Sequence, residues 1–439
     1  MRVVVVGAGL AGLRAAGQLR KAGCDVVVLE SSHRIGGRVR TVRSPLHGGQ
    51  HVETGAEWVD DHHERMHALL DRFGLRVEGA GEQWSRVRRL VDIDGRLLAG
   101  DELIKVSPSV LDEVAAYEDY IDAVAADITD PSRPNDHPEA SSVDRRSLVD
   151  VAAAVGLGRI AALLTRRDAQ GEFAAEPAEV SLLFIAQQRA HQRRAAAGAP
   201  LRAHRVEGGL SQLTQAMADE LGPCIRRGDE VHAVEQSDAS VVVRTRVGSL
   251  VADHVVLACA LPAVRRLHLR PHPPPALWAA ISGLGYGTVT KTAVQWPERS
   301  WVPGYLTTDR RVQRVYEPTA DGAGSPAILM AYCGGEGGHR WAQLTEQARL
   351  DLAAAEMQSI HGFGAAPLAG VSRAWSIHRR YGGSYAVYRP GEVGAFWDVL
   401  RAPWGRVHLA GEHVATCTGY MEGALESGDT VSRRILEAR

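Results

Sequence analysis

Val3 to Val6 is an unbroken run of β-branched residues, the pattern of a parallel strand covered on both faces, and it enters Gly7-Ala8-Gly9-Leu10-Ala11-Gly12. Leu13 to Ala22 then reads as a helix, and Cys24 to Leu29 as a second strand that ends in Glu30. Strand, glycine turn, helix and strand in that order make a βαβ unit for a dinucleotide. Gly7 permits the tight turn, Gly9 the approach of backbone to a pyrophosphate, and Gly12 the packing of helix on strand, while the helix N-terminus faces the phosphates. Glu30 can accept both ribose hydroxyls, which favours an unphosphorylated adenosine over NADP. The fingerprint alone does not choose between NAD and FAD.

A length of 439 residues leaves room for two domains with cores of their own. Fifty basic residues against fifty-two acidic ones give a net charge of -2, so no global field favours nucleic acid or an anionic membrane. Cys24, Cys224, Cys259, Cys333 and Cys417 form no CxxC pair and no spacing that holds zinc, so reduced thiols and no metal are expected. Met1-Arg2 leads straight into the first strand, and no run approaches the ~20 apolar residues of a membrane span. A cytoplasmic protein outside the membrane is expected.

Glu30 is followed by Ser31-Ser32-His33-Arg34-Ile35-Gly36-Gly37-Arg38-Val39-Arg40-Thr41, which resembles the ERxGGRxxT extension of the amine oxidase and phytoene desaturase branch of FAD proteins. Gly36-Gly37 would let the loop cross close to the diphosphate, with Arg38, or in second place Arg34, supplying donors to it. Glu53-Thr54-Gly55-Ala56-Glu57-Trp58 resembles the family's strand under the flavin, and Val206-Glu207-Gly208-Gly209-Leu210 its turn into a helix. Residues 229 to 262 alternate as a β-meander should, and the resemblance makes Val231 a neighbour of the adenine. Near the end, Arg406 to Glu412 reads as a strand closing at Gly411-Glu412, and Thr418-Gly419-Tyr420-Met421-Glu422-Gly423-Ala424 opens the last helix. Together they resemble the flavin-binding close of the flavin-containing monoamine oxidase family. That likeness gives Glu412 the ribityl hydroxyls and the helix start at Met421 the flavin's pyrimidine edge.

The implied fold is α/β, a Rossmann-like FAD-binding domain interleaved with an α+β substrate-binding domain of the amine oxidase type. Residues 1–80, 205–290 and 390–439 would form the first, and residues 81–204 and 291–389 the second.

The same resemblance assigns catalytic positions. Tyr385, in Tyr381-Gly382-Gly383-Ser384-Tyr385, and Tyr420 match the aromatic pair that flanks the substrate nitrogen, where ring faces favour an amine. Lys291 lies in a strand-like run, and the chain has only three lysines against 47 arginines, so a lysine there suggests that its compact ammonium is wanted. Its match is the family's lysine that holds a water against flavin N5. Ser384 stands where several monoamine oxidases carry the cysteine that tethers FAD, so non-covalent FAD is expected. Cys417, near the flavin end, is a candidate redox-sensitive thiol. Arg202 falls near a substrate-pocket position and could clamp a carboxylate, although Trp58 occupies the place of the arginine expected in many L-amino acid oxidases.

The expected reaction is FAD-dependent oxidation of a small-molecule amine to an imine, then aldehyde or ketone, with O₂ reduced to H₂O₂. The alternatives are an L-amino acid oxidase or another FAD-dependent C–N or C–C dehydrogenase, such as a carotenoid- or protoporphyrinogen-type enzyme, and a non-catalytic FAD scaffold. A homodimer is the candidate assembly. The turn-rich loop Asp130 to Pro138 is either an entrance element or a surface connection.

Overall fold

The strand Arg2–Val6 sits at the centre of a five-stranded sheet, between Asp25–Glu30 and His254–Leu257, with Ile225–Arg227 and Val407–Leu409 on the two edges. All four pairings are parallel. The chain therefore returns to this sheet three times, after long excursions. The computed structural model describes residues 1–79, 81–83, 87–199, 201–318 and 326–438.

Alternation along the valine run explains why all of it is apolar. Val3 and Val5 face a core that contains Leu13 and Leu19 of the helix Leu10–Lys21 and Leu425 of the helix Met421–Glu437. Val4 and Val6 face the opposite core, with Phe184, Tyr388 and Trp397. The two helices are locked together by Arg14 against Asp429 and by Gly428, where any Cβ would lie 2.8 Å from the Ala11 carbonyl oxygen.

Residues 231–252 form the expected antiparallel meander, Val231–Gln236, Val241–Thr245 and Ser249–Ala252, before His254–Leu257 joins the parallel sheet. A second large sheet has seven strands in the order Ala369–Ala374, Val289–Trp296, Ala327–Gly334, Arg314–Tyr316, Tyr305–Thr308, Arg89–Ile93 and Arg96–Ala99. Val289–Trp296 is an interior strand, and each of its eight residues is buried. Lys291 is thus not on a sheet edge.

Two local expectations change, and of the two readings of the loop from Asp130 to Pro138 one is favoured. The segment Glu53 to Trp58 is not one strand: Val52–Glu53 pairs with Thr41–Val42, and Val59–Asp60 with Ala203–His204. Between them the chain passes so close to Arg38 that a Cβ on Gly55 would meet the Arg38 carbonyl oxygen at 1.9 Å, and the carbonyls of Glu53 and Gly55 turn to the Lys291 ammonium. The loop from Asp130 to Pro138 is pinned as a surface connection by Gln187 donating to the Pro131 carbonyl and Trp397 to that of Ser132. Cys417 is buried and its thiol pKa is pushed well up by that burial, with Glu426 adding to it, so it lacks the thiolate character of a redox-sensitive cysteine. Among the described residues, no helix is long and apolar enough to cross a membrane.

Candidate active site

One cavity of about 1200 Å³ runs from the glycine turn to the seven-stranded sheet. That exceeds the roughly 300–1,000 Å³ of a pocket for one small molecule and suits a cofactor with a substrate beside it.

Its first end is the βαβ unit. Gly7, at φ +108°, has no room for a Cβ, which would sit 2.8 Å from the Ala258 carbonyl oxygen. Gly12 lies on the far side of the turn, where a Cβ would meet the Gly7 carbonyl oxygen at 1.9 Å. It packs the helix on the strand and does not line the cavity. Gly9 begins the helix Leu10–Lys21 with no side-chain cap and no acidic residue in the first turn, and Gly36-Gly37 passes directly beside it. Uncapped N–H groups facing open space between glycines fit a diphosphate. Glu30 accepts from the backbone N–H of Ala8 and of Ser32, which fixes its carboxylate in the cavity wall near Val231.

Arg38 and Arg34 have separated roles. The Arg34 guanidinium staples its own loop, donating to the carbonyls of Ile35, Gly37 and Val39. Arg38 lines the cavity and donates to Glu412 Oε1 at 2.8 Å. Burial works against its charge, and Glu412 with Tyr286 and Tyr381 together more than offset it. Glu412 Oε2 accepts from the Gly419 N–H, so Glu412 ties Arg38 to the start of the last helix, where Gly411 and Met421 also line the cavity. That helix has no side-chain cap either. These donors and the two carboxylates fit FAD.

In the middle of the cavity, Lys291 projects from its interior strand. Its Nζ donates to Glu57 Oε2 at 2.7 Å, the Gly55 carbonyl at 3.0 Å and the Glu53 carbonyl at 3.3 Å. All three ammonium protons are engaged, so holding a water here requires giving up one of them, the 3.3 Å bond being the weakest. Glu57 also accepts from Arg205 Nε at 2.9 Å and from the Tyr316 hydroxyl at 2.6 Å. Burial alone would raise its pKa, but Lys291 and Arg205 hold it below the usual carboxylate range.

Tyr385 and Tyr420 both line this part. The Tyr385 and Tyr332 hydroxyls are 2.7 Å apart, and the Tyr332 hydroxyl donates to the Gly171 carbonyl; Tyr332 lies opposite Lys291 in the sheet register. The Tyr420 ring meets the His63 ring edge-on at 5.6 Å. Burial raises the pKa of both cavity tyrosines, so they stay neutral and serve as walls and hydrogen-bonding groups, not bases. Ser384 also faces the cavity.

Arg202 is on the short strand Arg202–His204 and is not among the cavity-lining residues. The neighbouring Arg205 is the buried one: its guanidinium stacks 4.0 Å above the Trp58 ring and is consumed by Glu57 and the Glu317 carbonyl. Of the arginines that line the cavity wall beyond the nucleotide end, Arg189 is paired with Glu118 and Arg314 with Asp168, while the Arg89 side chain is exposed.

The sequence reading missed Glu57. Asp60, His62 and His63 bring ligand atoms within 4.8 Å of one another. However, His63 Nδ1 accepts the Asp60 N–H, which leaves the proton on Nε2, facing the Asp60 carboxylate at 3.4 Å. A metal at Nε2 would need an imidazolate, so the trio serves better as a support for Tyr420 than as a metal site.

A sequence model of the family described as flavin containing amine oxidoreductase matches residues 10–436. An L-amino-acid oxidase of Echis ocellatus is 25% identical over 99% of this chain and 89% of its own length. A probable flavin-containing monoamine oxidase A of Dictyostelium discoideum is 26% identical over 99% of this chain and 97% of its own. The solved structure of cyclohexylamine oxidase from Brevibacterium oxydans IH-35A superposes with a TM-score of 0.87 at 24% identity, covering 100% of this chain and 99% of that one, and shows the shared fold.

Proposed function

Because the chain belongs to the flavin-containing amine oxidoreductase family, and so is an FAD-dependent oxidoreductase acting on amine donors, we propose that it oxidises an amine lacking an α-carboxylate to the imine, with O₂ as acceptor. The observation that carries this reading is the single cavity shared by the nucleotide cradle of Gly7, Gly9, Glu30 and Arg38 and by Lys291, Tyr385 and Tyr420. FAD, when bound, supplies the hydride acceptor. The protein's own residues do the rest. Tyr385 and Tyr420 flank the nitrogen and exclude water, Lys291 would hold a water beside the flavin by giving up its 3.3 Å bond to the Glu53 carbonyl, and Glu57 orients Lys291. The C–H bond loses a hydride and the nitrogen its proton, leaving a C=N bond; O₂ takes up both electrons and two protons as H₂O₂. Water then hydrolyses the imine.

Preference for an amine over an amino acid rests on Arg202 and Arg205, the two arginines beside the expected carboxylate position. Trp58 and Arg205 are stacked on each other, Arg205 is spent on Glu57, and Arg202 lies off the cavity wall. Peroxide release from matched amine and α-amino acid pairs, in wild type and Arg202→Gln, tests the reading. The amine should have the higher kcat/KM, and the substitution should affect both members equally. A preferred amino acid whose advantage falls by ~1.5–3 kcal/mol in Arg202→Gln, the worth of a charged hydrogen bond, would instead make this an amino acid oxidase.

A further inference from the structure

Glu57 holds two cations on one carboxylate in the protein interior. Its Oε1 accepts from Arg205 Nε at 2.9 Å and its Oε2 from Lys291 Nζ at 2.7 Å, and the Glu57, Arg205 and Lys291 side chains are 1%, 9% and 7% exposed. Lys291 donates to three acceptors, which takes all three protons of an ammonium, and a guanidinium keeps its proton in proteins. The three groups therefore sum to one net positive charge, buried where solvent screens it little.

The neighbouring acids do not cancel it. Glu53 joins the group only through its carbonyl; its carboxyl turns to the Thr41 hydroxyl and the Leu210 N–H, and burial pushes it up to about 7, so at neutral pH it offsets only part of the charge. Glu317 gives Arg205 its carbonyl, while its carboxylate is taken by Arg299 and Trp301 Nε1. Arg314 with Asp168 and Arg38 with Glu412 are neutral as pairs.

Lys291 and Glu57 line the cavity, and Arg205 stands behind them, its guanidinium 4.0 Å above the ring of Trp58, which lines it too. The Tyr316 hydroxyl, donating at 2.6 Å, fixes Glu57 from the side. A neutral Lys291–Glu57 pair would orient the ammonium equally well. Burying a second cation beside that pair costs desolvation, and what it adds is charge.

We infer that Arg205 is a positioning residue for the redox chemistry: by sharing Glu57 with Lys291, it leaves one net positive charge at the cavity wall that raises the reduction potential of the bound FAD. This inference rests on the reading above, in which Lys291 faces the flavin. A hydride brings two electrons and one proton, so the ring that accepts it gains a unit of negative charge, and a fixed positive charge in a poorly screened place favours that product. Arg205 itself touches neither flavin nor substrate.

The test measures the midpoint potential of the flavin-loaded protein by equilibration with a redox dye at neutral pH, with no amine present. Arg205→Gln leaves Glu57 a hydrogen-bond donor but removes the charge. It should lower the equilibrium constant for reduction about tenfold, roughly 30 mV for two electrons, the scale of a unit charge ~10 Å away at an effective dielectric of ~20. Glu57→Gln adds a net positive charge and should shift the potential by a similar amount in the opposite direction. Arg205→Lys keeps the charge and should stay within threefold of wild type. The double variant Glu57→Gln/Arg205→Gln has the wild-type net charge and should return to the wild-type potential. A merely structural role would weaken FAD binding in every variant and would not produce shifts of opposite sign. Each single variant carries its own sign, so one that fails to hold flavin leaves the other to decide. A flavin-loaded Arg205→Gln or Glu57→Gln within threefold of wild type, shifts of one sign in both, or a double variant more than threefold away overturns the inference. Because no amine enters the measurement, its outcome is separate from that of the amine-oxidising reading, which fails if no amine reduces the flavin.

Discussion

Replacing Lys291 with Met separates its place in the fold from its place in the chemistry. Methionine fills nearly the same volume, so the interior strand keeps its packing, and the loss is three donated hydrogen bonds. Breaking a buried ion pair costs about 3–5 kcal/mol when a bare charge is left behind. Here Glu57 retains Arg205 and the Tyr316 hydroxyl, so the cost should fall to about 1–3 kcal/mol, the range for hydrogen bonds to a charged group. A fold that holds FAD survives that. If Lys291 acts at the flavin, anaerobic flavin reduction or the return of colour with O₂ should slow by ~10²-fold or more, the scale of a lost acid/base group or positioned water. Stopped-flow absorbance measures both rates, and urea unfolding the stability. A destabilised variant whose two rates stay within a few-fold of wild type refutes the catalytic role and leaves Lys291 as the counter-ion of Glu57.

With Ser384 in place of a tethering cysteine, acid precipitation should release free FAD into the supernatant; flavin retained in the pellet contradicts non-covalent binding. Tyr385→Ala and Tyr420→Ala should each lower turnover by a few-fold to tens of fold, from ~0.5–2 kcal/mol of ring–amine interaction, with the flavin spectrum preserved. Wild-type turnover in both variants removes the cage assignment. Glu53 is buried with Oε2 unpartnered and its carboxyl pushed up to about 7, chiefly by burial, against roughly 4.3 in an unfolded chain. Its protonated form therefore supports the fold fully below pH ~4.3, and the contribution is lost as pH rises through about 7. Glu53→Gln should gain on wild type by about 1–3 kcal/mol between pH 5 and 8, read as Tm; parallel Tm profiles would show that Glu53 carries no such penalty.

The nucleotide end was legible because its signals are local. Gly7, Gly9, Gly12 and Glu30 lie within one βαβ unit, where spacing and turn chemistry decide the geometry. Lys291, Tyr385 and Tyr420, which the family likeness assigned, reach the same cavity as that cradle from distant parts of the chain. What stayed hidden depends on tertiary contacts. Nothing beside Glu57 in the chain reveals that residues 205, 291 and 316 converge on it. Choosing between Arg202 and Arg205 turns on tertiary placement: Arg202 is half-buried on the short strand Arg202–His204, while Arg205, just past its end, is buried against Glu57.

The central claim is that this chain moves electrons from an amine to its own FAD. Its most direct test is to mix the flavin-loaded protein with excess amine in the absence of oxygen and follow the visible flavin band. The account predicts that the band bleaches, that one carbonyl product forms per flavin, and that admitting O₂ restores the colour with one H₂O₂ released. A flavin that dithionite bleaches but that stays oxidised across a panel of monoamines, diamines and amino acids would contradict it.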